Sequence, residues 1–281
     1  MPGTLYIVAT PIGNLEDLTQ RALGVLRKVD LVACEDTRHT RKLLNHFSIN
    51  TKTISYHEHN ERERATELCE LLQAGKNVAL VSDAGTPLMS DPGFRIVRAA
   101  IERNIPIVPI PGPVAFVTAL TGSGLPPDEF FFSGFLPSRS AARRTKLIQL
   151  RDSAATLVFY EAPHRIAATL QDALDVLGDR DAVVARELTK IHEEFARGSL
   201  SELAGRFSGA GTVRGEIVLL ISGTRNPTVR EGAPSLAARV RELERGGLTS
   251  REALKKVAHE LGLKRAEAYR LLLAQKNRLS K

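Results

Sequence analysis

The chain has 281 residues, 43% hydrophobic and 25% charged, the balance of an ordinary folded protein rather than a disordered one. Its two cysteines, Cys34 and Cys69, exclude a disulfide framework and a cysteine-built zinc site, and they suit a reducing, cytoplasmic compartment. No apolar run reaches 18 residues and residues 1–14 lack a basic leader, so neither a membrane span nor a signal peptide is expected. The net charge is +7, and residues 233–281, with 12 basic and 5 acidic side chains, carry all of it. A positive terminal module of this kind points to a polyanion, most simply nucleic acid; a solvated helical face is the plainer alternative.

Strand-like and helix-like segments alternate from the start. Residues 4–10 (TLYIVAT) form a short β-rich run that stops at Pro11-Ile12-Gly13-Asn14, and a helical pattern follows over 18–29. A strand at 31–34 leads into a helix over 37–47, and 51–56 is a further strand candidate. The helix over 61–74 stops at Gly75, and the buried strand at 77–82 runs into a loop dense in Gly, Pro and Asp. Helix 94–102, strand 105–110 and a helix starting at 113 complete a first β/α set. Residues 122–137, rich in Gly, Pro and Phe, read as a crossing to a second set, with strands at 156–160, 182–187 and 216–222 and helices at 165–177 and 200–207. A polar stretch with two prolines, 224–234, then links to helical pieces near 235–245, 250–261 and 265–277. The alternation predicts an α/β protein with mixed, mostly parallel sheets covered by helices. The expected divisions are 1–121 and 122–225 for the two α/β domains and 226–281 for a linker and a small basic helical module, helix-turn-helix-like in pattern.

In open α/β sheets, ligands bind where strands end. Three loops sit there in the first half: 10–14, 82–93 and 109–115. None is a GxGxxG turn or a GxxxxGK[ST] loop, so a pyrophosphate cradle has no support. Their glycines and prolines instead fix the backbone so that main-chain groups reach a ligand, which suits a neutral adenosine better than a triphosphate. Asp83, just past a strand, can accept hydrogen bonds from ribose hydroxyls or an ammonium; Asp83 and Asp91 can equally cap loops and helices.

The segment SDAGTPLMSDPG at 82–93 resembles the signature of the tetrapyrrole-methylase superfamily. With ATPIGNLEDLT at 9–19, ACEDTRHT at 33–40, PIPGPVA at 109–115, FYEAPHRI at 159–166, ARELTK at 185–190 and GEIVLLI at 216–222, the chain is similar to the branch of bacterial enzymes that methylate a ribose 2′-hydroxyl of 16S ribosomal RNA. The resemblance spans 4–222. It implies two α/β domains, S-adenosylmethionine in the cleft between them, and a homodimer. It places the cofactor against Pro11, Asp83, Gly85, Leu88, Pro113 and Val114 of the first domain and Tyr160, Arg186 and Gly215 of the second. The implied substrate is a decoding-region cytidine in 16S rRNA within the assembled small subunit.

Methyl transfer from a sulfonium is an in-line displacement, so the acceptor oxygen must sit roughly 3–3.5 Å from the methyl carbon. A ribose hydroxyl is a weak acid, and a base or nearby cation helps, by about 10²–10⁴-fold. No metal is needed, because the donor is already activated. Candidates for that role are, in order, Asp36, Glu35, Arg38, His57 and Lys190, all just past strand ends. Against them, Arg38 can hold phosphate only, and Glu161–Arg165 and Glu187–Lys190 have the spacing of structural ion pairs. His57 and His59 with Glu58 lack a third ligand for a metal. Arg139, Arg143, Arg144 and Lys146 form a basic run able to hold RNA phosphates, or an exposed helix start. Lys255, Lys256, Lys264, Arg265 and Arg270 are phosphate-contact candidates in the terminal module, whose plainer alternative is a packing module that only stabilises a dimer, with Ser250 the expected N-cap of its second helix. Phe130-Phe131-Phe132 suits core or dimer interface. The rival readings are a tetrapyrrole or protein side-chain methylase on the same fold, and a non-catalytic ribosome-assembly factor that binds RNA.

Overall fold

The computed structural model describes residues 1–209, 213–224 and 236–260. Met1–Thr224 gathers into one compact unit and Arg225–Lys281 into another.

The first sheet is built from β1 (Leu5–Val8), β2 (Leu31–Cys34), β3 (Lys52–Ser55), β4 (Val78–Val81) and β5 (Ile107–Ile110), joined through helices α1 (Gln20–Lys28), α2 (Thr37–His46), α3 (Glu61–Gln73) and α4 (Phe94–Glu102). The strand order is β3-β2-β4-β1-β5 and every pairing is parallel. A parallel sheet is covered on both faces, which is why β4 reads as four consecutive apolar residues, all buried. On one face Leu26 of α1 and Leu44 of α2 pack on Val32 and Val81; on the other Leu68 and Leu72 of α3 and Ile96 of α4 pack on Leu80. All five strands run the same way, so the loops that leave them gather at one edge.

α5 (Ala115–Ser123) leads into the second sheet: β6 (Phe130–Phe135), β7 (Thr156–Glu161), β8 (Asp181–Arg186), β9 (Glu194–Ser199) and β10 (Ile217–Ile221), with α6 (Ser140–Leu150), α7 (Ile166–Leu177) and α8 (Leu200–Ser208). Its order is β6-β7-β10-β8-β9. Here only β6–β7 is parallel; β7–β10, β10–β8 and β8–β9 are antiparallel, so this sheet is mixed, as expected, but mostly antiparallel. The difference comes from β9, which the sequence pattern does not reveal. EFARGS is an edge strand with polar and charged residues, too weakly alternating to signal itself.

One face of this sheet (Leu157, Phe159, Leu219) packs on α7 and α8 through Leu170 and Leu203. The other face (Val158, Val183, Val218, Leu220) packs on Phe116, Ala119 and Leu120 of α5 and on Ile12 from the loop after β1. That second contact puts the loop edge of the first sheet against β7 and β10.

In the terminal unit, α9 (Leu236–Arg245) and α10 (Ser250–Glu260) are joined through Gly246-Gly247. Val240 packs with Ala253, Leu254, Val257 and Ala258. The cap of α10 is Thr249, not Ser250: its backbone N–H donates to Glu252 at 3.0 Å and its hydroxyl accepts from the Glu252 N–H at 3.4 Å. Lys255 and Lys256 are exposed on α10. Lys264, Arg265, Arg270 and the third helical piece lie outside the described residues. Among the described residues no helix is long and apolar enough to cross a membrane.

Candidate active site

A cavity of about 420 Å³ lies where the loops after β1, β4 and β5 meet β7, β10 and the β8–β9 turn, a volume in the usual range for a small-molecule site. The loops are stitched to one another. Thr10 and Gly85 exchange backbone hydrogen bonds at 2.8 and 3.0 Å, the Thr10 hydroxyl donates to Ser82 O at 3.0 Å, and the Thr86 hydroxyl donates to Pro113 O at 3.1 Å. Across the cavity, the turn Leu188–Lys190 presses on Gly13 so closely that a Cβ there would lie 2.5 Å from Lys190 Cγ.

The backbone around this cavity is strained. Among the described residues six non-glycine residues have positive φ, and four of them flank it: Leu88 (73°) and Ser90 (75°) on one side, Glu187 (51°) and Thr189 (66°) on the other. Such conformations cost about 1–3 kcal/mol each and persist only where the surroundings hold them. Glu61, at the start of α3, supplies part of that hold: its carboxylate accepts from the N–H of Gly93 and of Arg95, both at 3.2 Å, and from the Tyr56 hydroxyl at 3.1 Å.

Charge is distributed unevenly. Among the described residues no lysine or arginine lines the cavity, whereas Asp83, Asp91, Glu161 and Glu216 do. Burial, then the neighbouring carboxylates of Glu35 and Asp83, push Asp91 up to about 6. Burial and Asp83 also raise Glu35. Tyr160, which faces the cavity from β7, is pushed up to about 12 by burial and stays a neutral phenol. Its ring meets Phe132 and Phe135 edge-on at 5.0 and 5.6 Å.

Of the cofactor contacts expected from the sequence, Asp83, Gly85, Val114, Tyr160 and Gly215 line the cavity. Pro11, Leu88, Pro113 and Arg186 do not. Ile12 takes the place beside Pro11, and Pro113 contributes its carbonyl to Thr86. Leu88 turns toward the core between α3 and α4 while Met89 and Ser90 face the cavity, and Arg186 pairs with Glu194.

The catalytic candidates divide as well. Asp36 is the N-cap of α2: Oδ1 accepts from Arg38 N at 2.8 Å, and the Arg38 guanidinium closes on the same carboxylate at 2.9 Å. Those bonds hold Asp36 down to about 2, so it is a poor proton acceptor and Arg38 is already spoken for. Asp36 still reaches the site through its backbone, whose N–H donates to Asp83 Oδ1 at 3.1 Å. Lys190 is bound to Glu187 at 2.8 Å and Glu216 at 3.0 Å; burial works against its charge, but these bonds carry it above its ordinary value, and it stays protonated. Glu35 and His57 sit at the ends of β2 and β3, half-buried, next to the carboxylates but outside the cavity wall. Among the described residues no cluster of His, Cys, Asp and Glu could hold a metal.

The basic run on α6 needs a correction. Arg143 is 3% exposed; its guanidinium binds Asp172 at 2.7–2.8 Å and donates to Ser138 O at 3.2 Å, so it is a buried strut and not a phosphate ligand. Arg144 bridges Asp172 and Asp175. Arg139 is exposed, and Lys146 lies over the Phe131 ring at 5.6 Å. Phe132 stacks on Phe116 at 4.2 Å within the core, whereas Phe130 and Phe131 are 45% and 40% exposed on the edge strand β6. Several lining residues, Ile12 and Leu188 among them, were not named from the sequence. Met89 gave no signal, while Asp91 stood inside the signature loop but read as a cap.

The cavity suits a cationic adenosyl donor. Apolar walls (Ile12, Val114, Leu188) and an aromatic ring (Tyr160) can cover a nucleoside, and unopposed carboxylates can face an ammonium and a sulfonium. A polyphosphate would meet the carboxylates of Asp83 and Asp91, which no cation among the described residues offsets.

The fold and this site define a methylase. A model of the tetrapyrrole (corrin/porphyrin) methylases matches residues 4–204, and the chain belongs to that family. It is an S-adenosylmethionine-dependent methyltransferase. It is similar along nearly its whole length to proteins called ribosomal RNA small subunit methyltransferase I. The protein of that name from Micromonospora olivasterospora is 50% identical over 268 residues, which span 95% of this chain and 85% of that one. The one from Synechocystis sp. is 49% identical over 275 residues, 96% and 98% of the two chains. Among solved structures, the uroporphyrin-III C-methyltransferase of Thermus thermophilus in complex with S-adenosylhomocysteine shares the fold (TM-score 0.56, 18% identity, 78% of this chain and 97% of that one).

Proposed function

We propose that this chain transfers a methyl group from S-adenosylmethionine to the ribose 2′-hydroxyl of a decoding-region cytidine in 16S rRNA, acting on the assembled small subunit. One observation carries the reading: a carboxylate-walled cavity that no lysine or arginine lines among the described residues, in a chain about half identical to relatives named for small-subunit rRNA methylation. Asp83, Gly85, Val114, Tyr160 and Gly215 hold the donor, whose sulfonium supplies an electrophilic methyl group. Strained loops hold those residues in place before substrate arrives, so positioning supplies much of the rate. Exposed Arg139, Lys255 and Lys256 contact RNA phosphates, and a homodimer forms through the exposed aromatic edge at Phe130 and Phe131. A small tetrapyrrole or a single protein side chain has no use for a terminal segment that holds the chain's whole positive excess, which disfavours those acceptors.

The test is methylation of 30S subunits with isotope-labelled S-adenosylmethionine, followed by mass spectrometry of the nucleosides. Label in a single 2′-O-methylcytidine is expected. Protein that binds the donor yet labels no RNA would overturn the reading. Removing residues 225–281 should weaken binding to 30S subunits and flatten its salt dependence while leaving donor affinity unchanged.

A further inference from the structure

Four carboxylates line the cavity, and three are already committed. Asp83 Oδ1 accepts from Asp36 N. Glu161, with a fully buried side chain, receives the Thr169 hydroxyl at 2.6 Å, Ala162 N at 2.7 Å and the Arg165 guanidinium at 3.1 Å. Glu216 is 74% exposed and paired with Lys190. Asp91 has no cation beside it among the described residues, only the Ser82 hydroxyl. Its loop is nonetheless fixed from three directions: by the positive-φ turn at Leu88 and Ser90, by Glu61 on the Gly93 N–H, and by Ser90, whose Oγ lies 2.8 Å from where a Cβ on Gly134 would stand. Gly134 sits in the bulge of β6, so the second half of the molecule has a notch that receives this loop.

We propose that Asp91 is the catalytic base, taking the proton of the acceptor hydroxyl as the methyl group moves. The inference rests on the ribose reading given above. The O–H bond breaks with its proton going to an Asp91 oxygen; the hydroxyl oxygen bonds the methyl carbon; the carbon–sulfur pair returns to sulfur, leaving a neutral thioether. The groups facing Asp91 suit the role. Glu35, Asp83 and the neutral phenol of Tyr160 offer it no positive charge, so the carboxylate keeps its affinity for a proton, whereas the cation-bound Asp36 does not. His57 bears on Glu35 rather than on Asp91.

The experiment compares wild type, Asp91→Asn and Asp91→Glu in single-turnover methylation of 30S subunits across pH, with donor affinity measured by calorimetry. Asp91→Asn should lose about 10²-fold or more in rate, far more than any change in donor Kd, and the acid limb expected near pH 6 for wild type should disappear. Asp91→Glu should recover part of the rate. An Asp91→Asn rate within a few-fold of wild type, or a loss that appears in donor Kd instead, would overturn the assignment. Independently of turnover, carbon-13 NMR of the unliganded protein should find a carboxyl titrating near 6 that Asp91→Asn removes; its absence would count against the role. Wild type that binds donor but methylates no 30S subunit would overturn the ribose reading, and this inference with it.

Discussion

Both walls of the cavity carry acidic residues, and the two walls treat them oppositely. On the second sheet each is matched: Glu161 with Arg165, Glu187 and Glu216 with Lys190, Glu194 with Arg186 and Arg206. At the ends of the first sheet, burial and then neighbouring carboxylates raise Glu35 and Asp91, and Asp83 accepts from the Asp36 N–H. The second wall therefore spends its carboxylates on structure. The first keeps a negative field at the cavity mouth, which a sulfonium can neutralise on binding.

The largest effect that would sharpen this contrast is on stability, at the second wall. Glu161→Ala leaves the Arg165 guanidinium and the Thr169 hydroxyl without their buried partner, and denaturant unfolding should show a loss of about 3–5 kcal/mol. A loss below about 1 kcal/mol would mean that the pairing is not structural. Asp83→Ala, at the first wall, should instead act on binding. Losing a charged hydrogen-bond acceptor is worth about 1.5–3 kcal/mol, or roughly 10–100-fold in donor Kd by calorimetry, and an unaltered Kd would break the comparison.

Asp91→Asn should stabilise the fold. The folded protein holds the Asp91 proton more tightly than the unfolded chain does. Below pH 4 both forms are protonated and the group is neutral in its effect. As pH rises from 4 through about 6, the folded state gives up its proton at a cost, and above 6 the penalty is complete. The variant's gain, about 1 kcal/mol once solvent screening is allowed for, should therefore appear in thermal melts above pH 6 and vanish near pH 4. Lys190→Ala should do least, within about 1 kcal/mol, because its partners remain partly solvated; a large drop in turnover with stability intact would move Lys190 back among the catalytic groups.

The first sheet was readable because its signals are local. Each strand is a short apolar run, each helix an amphipathic segment with a clear stop, and period and punctuation suffice to place them. The second sheet was half readable. β7, β8 and β10 are apolar runs, but β9 owes its conformation to pairing with β8, a partner reached only after the strained turn at Glu187 and Thr189. The same division holds for the site. Asp83, Gly85, Val114, Tyr160 and Gly215 could be named from motifs, since loop chemistry is written in Gly, Pro and Asp. Arg143 could not be distinguished from its exposed neighbour Arg139, because burial against Asp172 depends on where α7 lies.

By itself, the sequence determined the β/α alternation, the carboxyl-end loops that carry the chemistry, and a positive charge confined to the last 49 residues. Only the tertiary structure decided which charges are spent and which are left over. Asp36 and Asp91 are both aspartates beside a strand-end loop, yet one is held down to about 2 by Arg38 and the other pushed up to about 6. The reason is physical: a carboxylate's proton affinity is set by the few ångströms of burial and charge around it, and chain folding, not residue type, chooses those neighbours.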